Sequence, residues 1–135
     1  MQNLIYAFIQ VIHNFGAVAV VGTAASALWL VQSNVAARQR AALFIAIAWA
    51  TQVASGLLFG ITTYFFERHL PDIHGIAVDA LLIKISCAVT GFVLAVVYFR
   101  LNAGWTLPRQ LLVWRALLVL GVVALGSAAF LRWFS

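Results

Sequence analysis

The chain has 135 residues, of which 65% are hydrophobic and 8% charged, and its formal net charge is +5. A soluble domain of this size carries about 25% charged residues, so there is too little polar side chain here to coat a water-facing shell. Its arginines sit beside apolar segments, where membrane topology accounts for them, and no basic stripe or aromatic pattern for nucleic acid is present.

Four apolar segments follow one another, each long enough for the roughly 20 residues a membrane span requires. The first runs over about Leu4–Gln32. Met1-Gln2-Asn3 puts no basic stretch ahead of it, and the segment is too long for a cleaved signal peptide, so it is expected to persist as a helix. The connection Ser33 to Arg40 leads to a second span over about Ala41–Phe66. Glu67 to His74 forms the next connection, and the third span covers about Gly75–Arg100. Leu101 to Gln110 connects it to the fourth, over about Leu111–Leu131. Pro71 and Pro108 both fall in connections, where they break no helix. Short connections make neighbours antiparallel, so the expected fold is a single all-α domain, an integral membrane up-down-up-down four-helix bundle in a lipid bilayer.

Five arginines, Arg38, Arg40, Arg100, Arg109 and Arg115, gather at one end of the spans, while Arg68, Lys84 and Arg132 fall on the other side with all three acids, Glu67, Asp72 and Asp79. The positive-inside rule makes the five-arginine end cytoplasmic. Both termini are then outside, or periplasmic in a bacterial-type inner membrane. Tyr6, Tyr64, Trp105, Trp114 and Trp133 lie near segment ends, as an aromatic belt would. Cys87 is the only cysteine; inside an apolar run, it reads as a small packed hydrophobe.

Lipid tails are as apolar as leucine, so close packing of small residues must drive helix association. The bundle-facing stripes are expected to be His13, Gly16, Ala17, Val20 and Ala24 on the first helix and Gln52, Ser55, Gly56, Phe59, Gly60 and Thr63 on the second. On the third they are Ala77, Ala80, Lys84, Cys87, Gly91 and Ala95, and on the fourth Gly121, Ala124 and Ala128. His13 and Lys84 each lie nine or ten residues below the outer end of their helix, roughly 14 Å at 1.5 Å per residue. Both fall on inward stripes and can occupy one level. Gln10 and Asn14 flank His13, with Gln52 and Ser55 somewhat deeper. A lysine at this depth costs on the order of 3 kcal/mol on insertion scales. It either serves a function, snorkels outward or pairs with Asp79, although Asp79 lies about 140° around the helix. A second constellation, Glu67, His69, Asp72 and His74, occupies the outer connection. Its side chains suit copper or zinc, though four polar residues in a loop are also ordinary solvated chain. His74, at the mouth of the third helix, is also placed to supply an axial ligand.

The first helix, with Gln10-Val-Ile-His13-Asn-Phe-Gly16-Ala17 and then Gly22, resembles that of the CopD-like and HemJ-like membrane proteins, in which a histidine precedes a small-residue stretch. Gln52-Val-Ala-Ser55-Gly56-Leu57 is similar to the glutamine/threonine-glycine turn of that group. Leu81-Leu-Ile-Lys84-Ile85, running on to Tyr98-Phe-Arg100-Leu-Asn102, resembles its lysine-bearing helix, which also ends in a basic residue. The resemblance spans about three of the four helices and sets His13 and Lys84 on the family's positions. It implies a haem-b-linked or copper-linked inner-membrane protein. HemJ-like members are implicated in oxidising protoporphyrinogen and CopD-like members in copper handling. The chain lacks the further histidine- and acid-bearing segments of HemJ-like proteins. It also lacks methionine-rich copper sites, Met1 being its one methionine, so neither specific activity carries over.

Three functions are compatible with these residues. One is a redox-type membrane protein or subunit binding haem b. His13 is then the proximal ligand, Gly16 and Gly56 leave space, and Lys84 serves as second ligand or propionate partner, with His74 or His69 as the alternative ligand. Quinone or a larger respiratory-type complex is the expected partner. The second is copper binding, with His69, Asp72 and His74 at the entrance and His13 inside, although a protonated Lys84 would repel a cation. The third is a non-catalytic accessory subunit of a larger membrane complex or a homo-oligomer. Whether the chain is an enzyme stays open. It has no Ser/His/Asp triad, phosphate loop or CxxC motif.

Overall fold

The computed structural model describes residues 1–68 and 73–134. They form four α-helices, α1 (Gln2–Trp29), α2 (Val35–Glu67), α3 (Ile76–Leu101) and α4 (Leu107–Phe134), with one 3-10 turn, Asn102–Gly104, before α4. All four helices are long and apolar enough to cross a membrane, and the chain is a multi-pass membrane protein of the expected up-down-up-down architecture. Each of α1 and α3 packs on both α2 and α4, leaving α1 and α3 across the diagonal of a four-cornered bundle. The end carrying the α1–α2 and α3–α4 connections is termed the inner end below.

Two helices begin earlier than hydropathy alone predicts. Asn34 caps α2, its side chain accepting from the Ala37 N–H at 2.9 Å; an N-cap of this kind satisfies a donor that the helix cannot. The segment from Val35 to Arg40 is therefore helix, not connection. Pro108 lies inside the first turn of α4. Proline is tolerated there because the first helical N–H groups have no intrahelical partner. The Gln110 N–H closes that turn on the Thr106 carbonyl at 3.1 Å.

The apolar core sits in the inner half. Its largest fully buried side chains are Trp49, Trp114, Tyr98, Ile45, Leu117 and Val20. Trp49 lies where Gly91 leaves no room for a methyl group, since a Cβ there would overlap the indole ring. Tyr98 and Trp114 meet edge to face with ring centroids 5.2 Å apart, a favoured aromatic geometry. Gly121 lets Val20 and Val21 approach to 3.1 Å of where its Cβ would be. The small-residue stripes of α1 and α3 are as expected: Gly16, Val20 and Ala24 are buried, as are Ala77, Ala80, Cys87, Gly91 and Ala95.

The stripe on α2 needs correcting. Gln52, Ser55 and Thr63 are buried, but Gly56 is exposed, and a Cβ on Gly56 or Gly60 meets no atom within 4 Å. Polar bonding decides the rotation of this helix. Gln52 and Ser55 bond to His13, and Thr63 accepts from the Tyr6 hydroxyl at 3.1 Å. Those bonds turn the two glycines about one residue's rotation away from the centre.

Candidate functional site

His13 and Lys84 come together. The Lys84 Nζ lies 2.8 Å from His13 Nε2, which joins α1 to α3 across the diagonal. Lys84 therefore turns inward and not towards Asp79, which is exposed. On its other side His13 Nδ1 is 2.7 Å from Ser55 Oγ.

The roles of the two His13 ring nitrogens follow from where the Ser55 hydroxyl proton is assigned. Ser55 Oγ donates to the Thr51 carbonyl at 2.6 Å, the back-bond a helical serine commonly makes. Its single proton is thereby used, so Ser55 accepts from His13 Nδ1–H. The remaining ring nitrogen, Nε2, then carries its lone pair towards the bundle centre, and the Lys84 amine donates to it. Amine, imidazole, hydroxyl and carbonyl thus form one directional chain from α3 through α1 to α2. It sits immediately outward of the apolar core, in the half of the bundle where fewer large side chains are buried.

Gln52 holds the histidine's backbone, its Nε2 donating to the His13 carbonyl at 2.6 Å. Gly16 makes that approach possible, because a Cβ there would stand 2.5 Å from the same amide nitrogen. Gly16 was expected to leave space for a macrocycle; instead its space is filled by Gln52. Gly56, also assigned that role, is exposed and turned from the bundle centre, so it leaves no space inside the bundle. Gln10 and Asn14 bond to each other at 2.8 Å on an exposed face and do not join the site.

His74 is exposed just ahead of α3, about 15 Å along the helix axis from Lys84 at 1.5 Å per residue. His69 and Asp72 lie outside the described residues. Among the described residues, no group of three or more His, Cys, Asp or Glu side chains is placed to hold a metal ion.

A second polar cluster, at the inner end, was not anticipated from the sequence. Arg38 is 2% exposed. Its guanidinium donates to the Gln110 Oε1 at 3.0 Å, the Tyr98 hydroxyl at 3.4 Å and the Gln32 carbonyl. The Tyr98 hydroxyl also donates to Gln110 Oε1 at 3.0 Å. Gln110 Nε2 donates to the Asn102 and Trp105 carbonyls, and Asn102 Nδ2 to Gln39 Oε1. One side chain of α2 is thus tied to the end of α1, to α3 and to α4. Arg38 read as a loop charge because the α2 start was placed too late. With Asn34 recognised as a cap, Arg38 falls on the same helical face as Ala42, Ile45 and Trp49, all buried.

Compared with protein families, with curated proteins and with solved structures, the chain matches none.

Proposed function

We propose that this chain is a small inner-membrane redox-type protein or subunit that holds haem b at the His13–Lys84 layer. The observation that carries the reading is the state of the imidazole. Its Nδ1 pairs with Ser55 Oγ at 2.7 Å, and its Nε2 faces the Lys84 amine at 2.8 Å across the bundle. Histidines that ligate metals usually have the other ring nitrogen fixed in this way by a hydrogen-bond partner. Lys84 now holds Nε2 at 2.8 Å; with a haem bound, its amine would move off the ring nitrogen and serve as the cation for a propionate. When bound, the group would supply one-electron chemistry, while the chain would supply the ligand nitrogens, their orientation and an apolar surround.

The arginine-rich inner end supports an orientation with both termini outside, and so a site in the outer half of a bacterial-type inner membrane. Quinone or a larger respiratory-type complex would be the exchange partner from that position. Among the described residues, no arrangement favours the copper alternative.

The test is the visible spectrum of the purified protein in detergent, with and without dithionite, together with its iron content. A Soret band that shifts on reduction, with about one iron per chain, is the expected result for one haem held by the chain. Absence of both, in protein expressed with ample haem supply, overturns the proposal.

A further inference from the structure

A cavity of about 500 Å³ opens between the inner ends of α1 and α4. Leu28, Trp29 and Gln32 line it from one side, and Leu111, Arg115 and Leu118 from the other. A second cavity of about 360 Å³ shares Trp29 and Gln32 and continues past Ser33 to Leu107. Together they make a groove with polar groups and a cation beside aliphatic walls.

Arg115 is the unusual member. It lies eight residues into α4, about 12 Å along the axis, and is exposed on the flank of a spanning helix. Among the described residues its guanidinium makes no hydrogen bond or ion pair. Arg109 differs, since it stacks over Trp105 at 4.5 Å. A guanidinium on the lipid-facing side, level with the last turn of α1, calls for an anion from outside the chain.

We infer that this groove binds one anionic phospholipid of the leaflet at the arginine-rich end, with its phosphate on Arg115 and an acyl chain along Leu111 and Leu118. Charge selects the occupant. A second copy of this chain, inserted the same way, would bring the same arginine-rich end to the groove. The described acids, Glu67 and Asp79, lie at the far end of the bundle. A soluble anion would leave the aliphatic walls unmatched. Basic pockets between spanning helices bind anionic headgroups in this manner.

Native mass spectrometry of the full chain in maltoside micelles tests the inference, using phosphatidylglycerol, phosphatidylcholine of matched acyl chains, and inorganic phosphate as probes. The expected result is one retained phosphatidylglycerol per chain, with an apparent affinity about tenfold above phosphatidylcholine, the scale of a single charge-assisted contact. Arg115→Gln should abolish that preference, and it should fold normally because Arg115 holds nothing else in place. Arg109→Gln should retain it. Equal affinity for the two lipids, an unchanged preference in Arg115→Gln, an equal loss in Arg109→Gln, or occupancy by phosphate alone would each overturn the inference.

Discussion

Replacing Arg38 with alanine is expected to destabilise the bundle by about 3 kcal/mol, because hydrogen bonds from a charged donor are worth roughly 1.5–3 kcal/mol each. Three such bonds leave Arg38, to Gln110, Tyr98 and the Gln32 carbonyl. The net loss is smaller than their sum. Removing the guanidinium also removes a buried charge that no carboxylate among the described residues neutralises, and that relief is favourable. The truncation leaves an unfilled volume as well. Gln110 and Tyr98 retain each other at 3.0 Å, so the Gln32 carbonyl and the tie to the end of α1 suffer most. Arg38→Lys should recover less than half of the loss. A single ammonium cannot reach a hydroxyl, an amide oxygen and a backbone carbonyl arrayed around a planar fork. Unfolding in mixed micelles, followed by helical circular dichroism, measures both variants. A loss below about 0.5 kcal/mol for Arg38→Ala, the range of an unremarkable surface change, would show that the clamp is not made.

The second large effect is a failure of additivity between positions 13 and 84. His13→Ala removes the acceptor for the Lys84 amine and leaves that amine in the bundle centre without a partner. Leaving one member of a part-buried polar pair unsatisfied costs about 1–3 kcal/mol. Lys84→Met removes the group that needs the partner and should be milder, with His13 still bonded to Ser55. Combining the two should be less damaging than His13→Ala alone, with an interaction energy of about 2 kcal/mol, within the span measured for contacting residues. The four stabilities of this cycle, taken on protein without added haem, are the measurement. Effects that add to within about 0.5 kcal/mol would place the two side chains apart. Ser55 gives an internal control, because its bond to the Thr51 carbonyl at 2.6 Å does not depend on His13.

Much of this arrangement was legible in the sequence. On α1 and α3 the small residues recur at helical spacing and the polar members, His13 and Lys84, lie on the same stripes, so the stripe and the inward face coincide. The meeting of His13 and Lys84 followed from depth alone, since two antiparallel connections return the chain to the same end and the residues lie at similar distances from it. On α2 the same logic failed at Gly56 and Gly60. There the face is chosen by the partners of Gln52, Ser55 and Thr63, which lie on α1 and are invisible to a reading of one helix. The Arg38 clamp was hidden by a boundary: hydropathy marks where a helix enters the apolar layer, whereas Asn34 marks where its hydrogen bonding begins. Tyr98, Asn102 and Gln110 sit near segment ends, and only the packed ends of all four helices bring them to Arg38.

The division of labour between the two ends follows from the same contacts. The inner half is closed by Trp49, Trp114 and Tyr98 and clamped by Arg38, so it resists separation of the helices. Among the described residues, the outer half has no comparable cluster of large buried side chains, and Tyr6 joins α1 to α2 there through Thr63 and Phe59. Local opening concentrates where few apolar contacts are buried, and that is where His13 and Lys84 sit.

The central claim is that the chemistry of this chain resides at the His13–Lys84 layer, and the most direct test is the visible spectrum of His13→Ala beside the unaltered protein from the same preparation. The prediction is a Soret band in the unaltered protein and its loss in His13→Ala, with helical circular dichroism retained in both. A Soret band of full intensity in His13→Ala would contradict it.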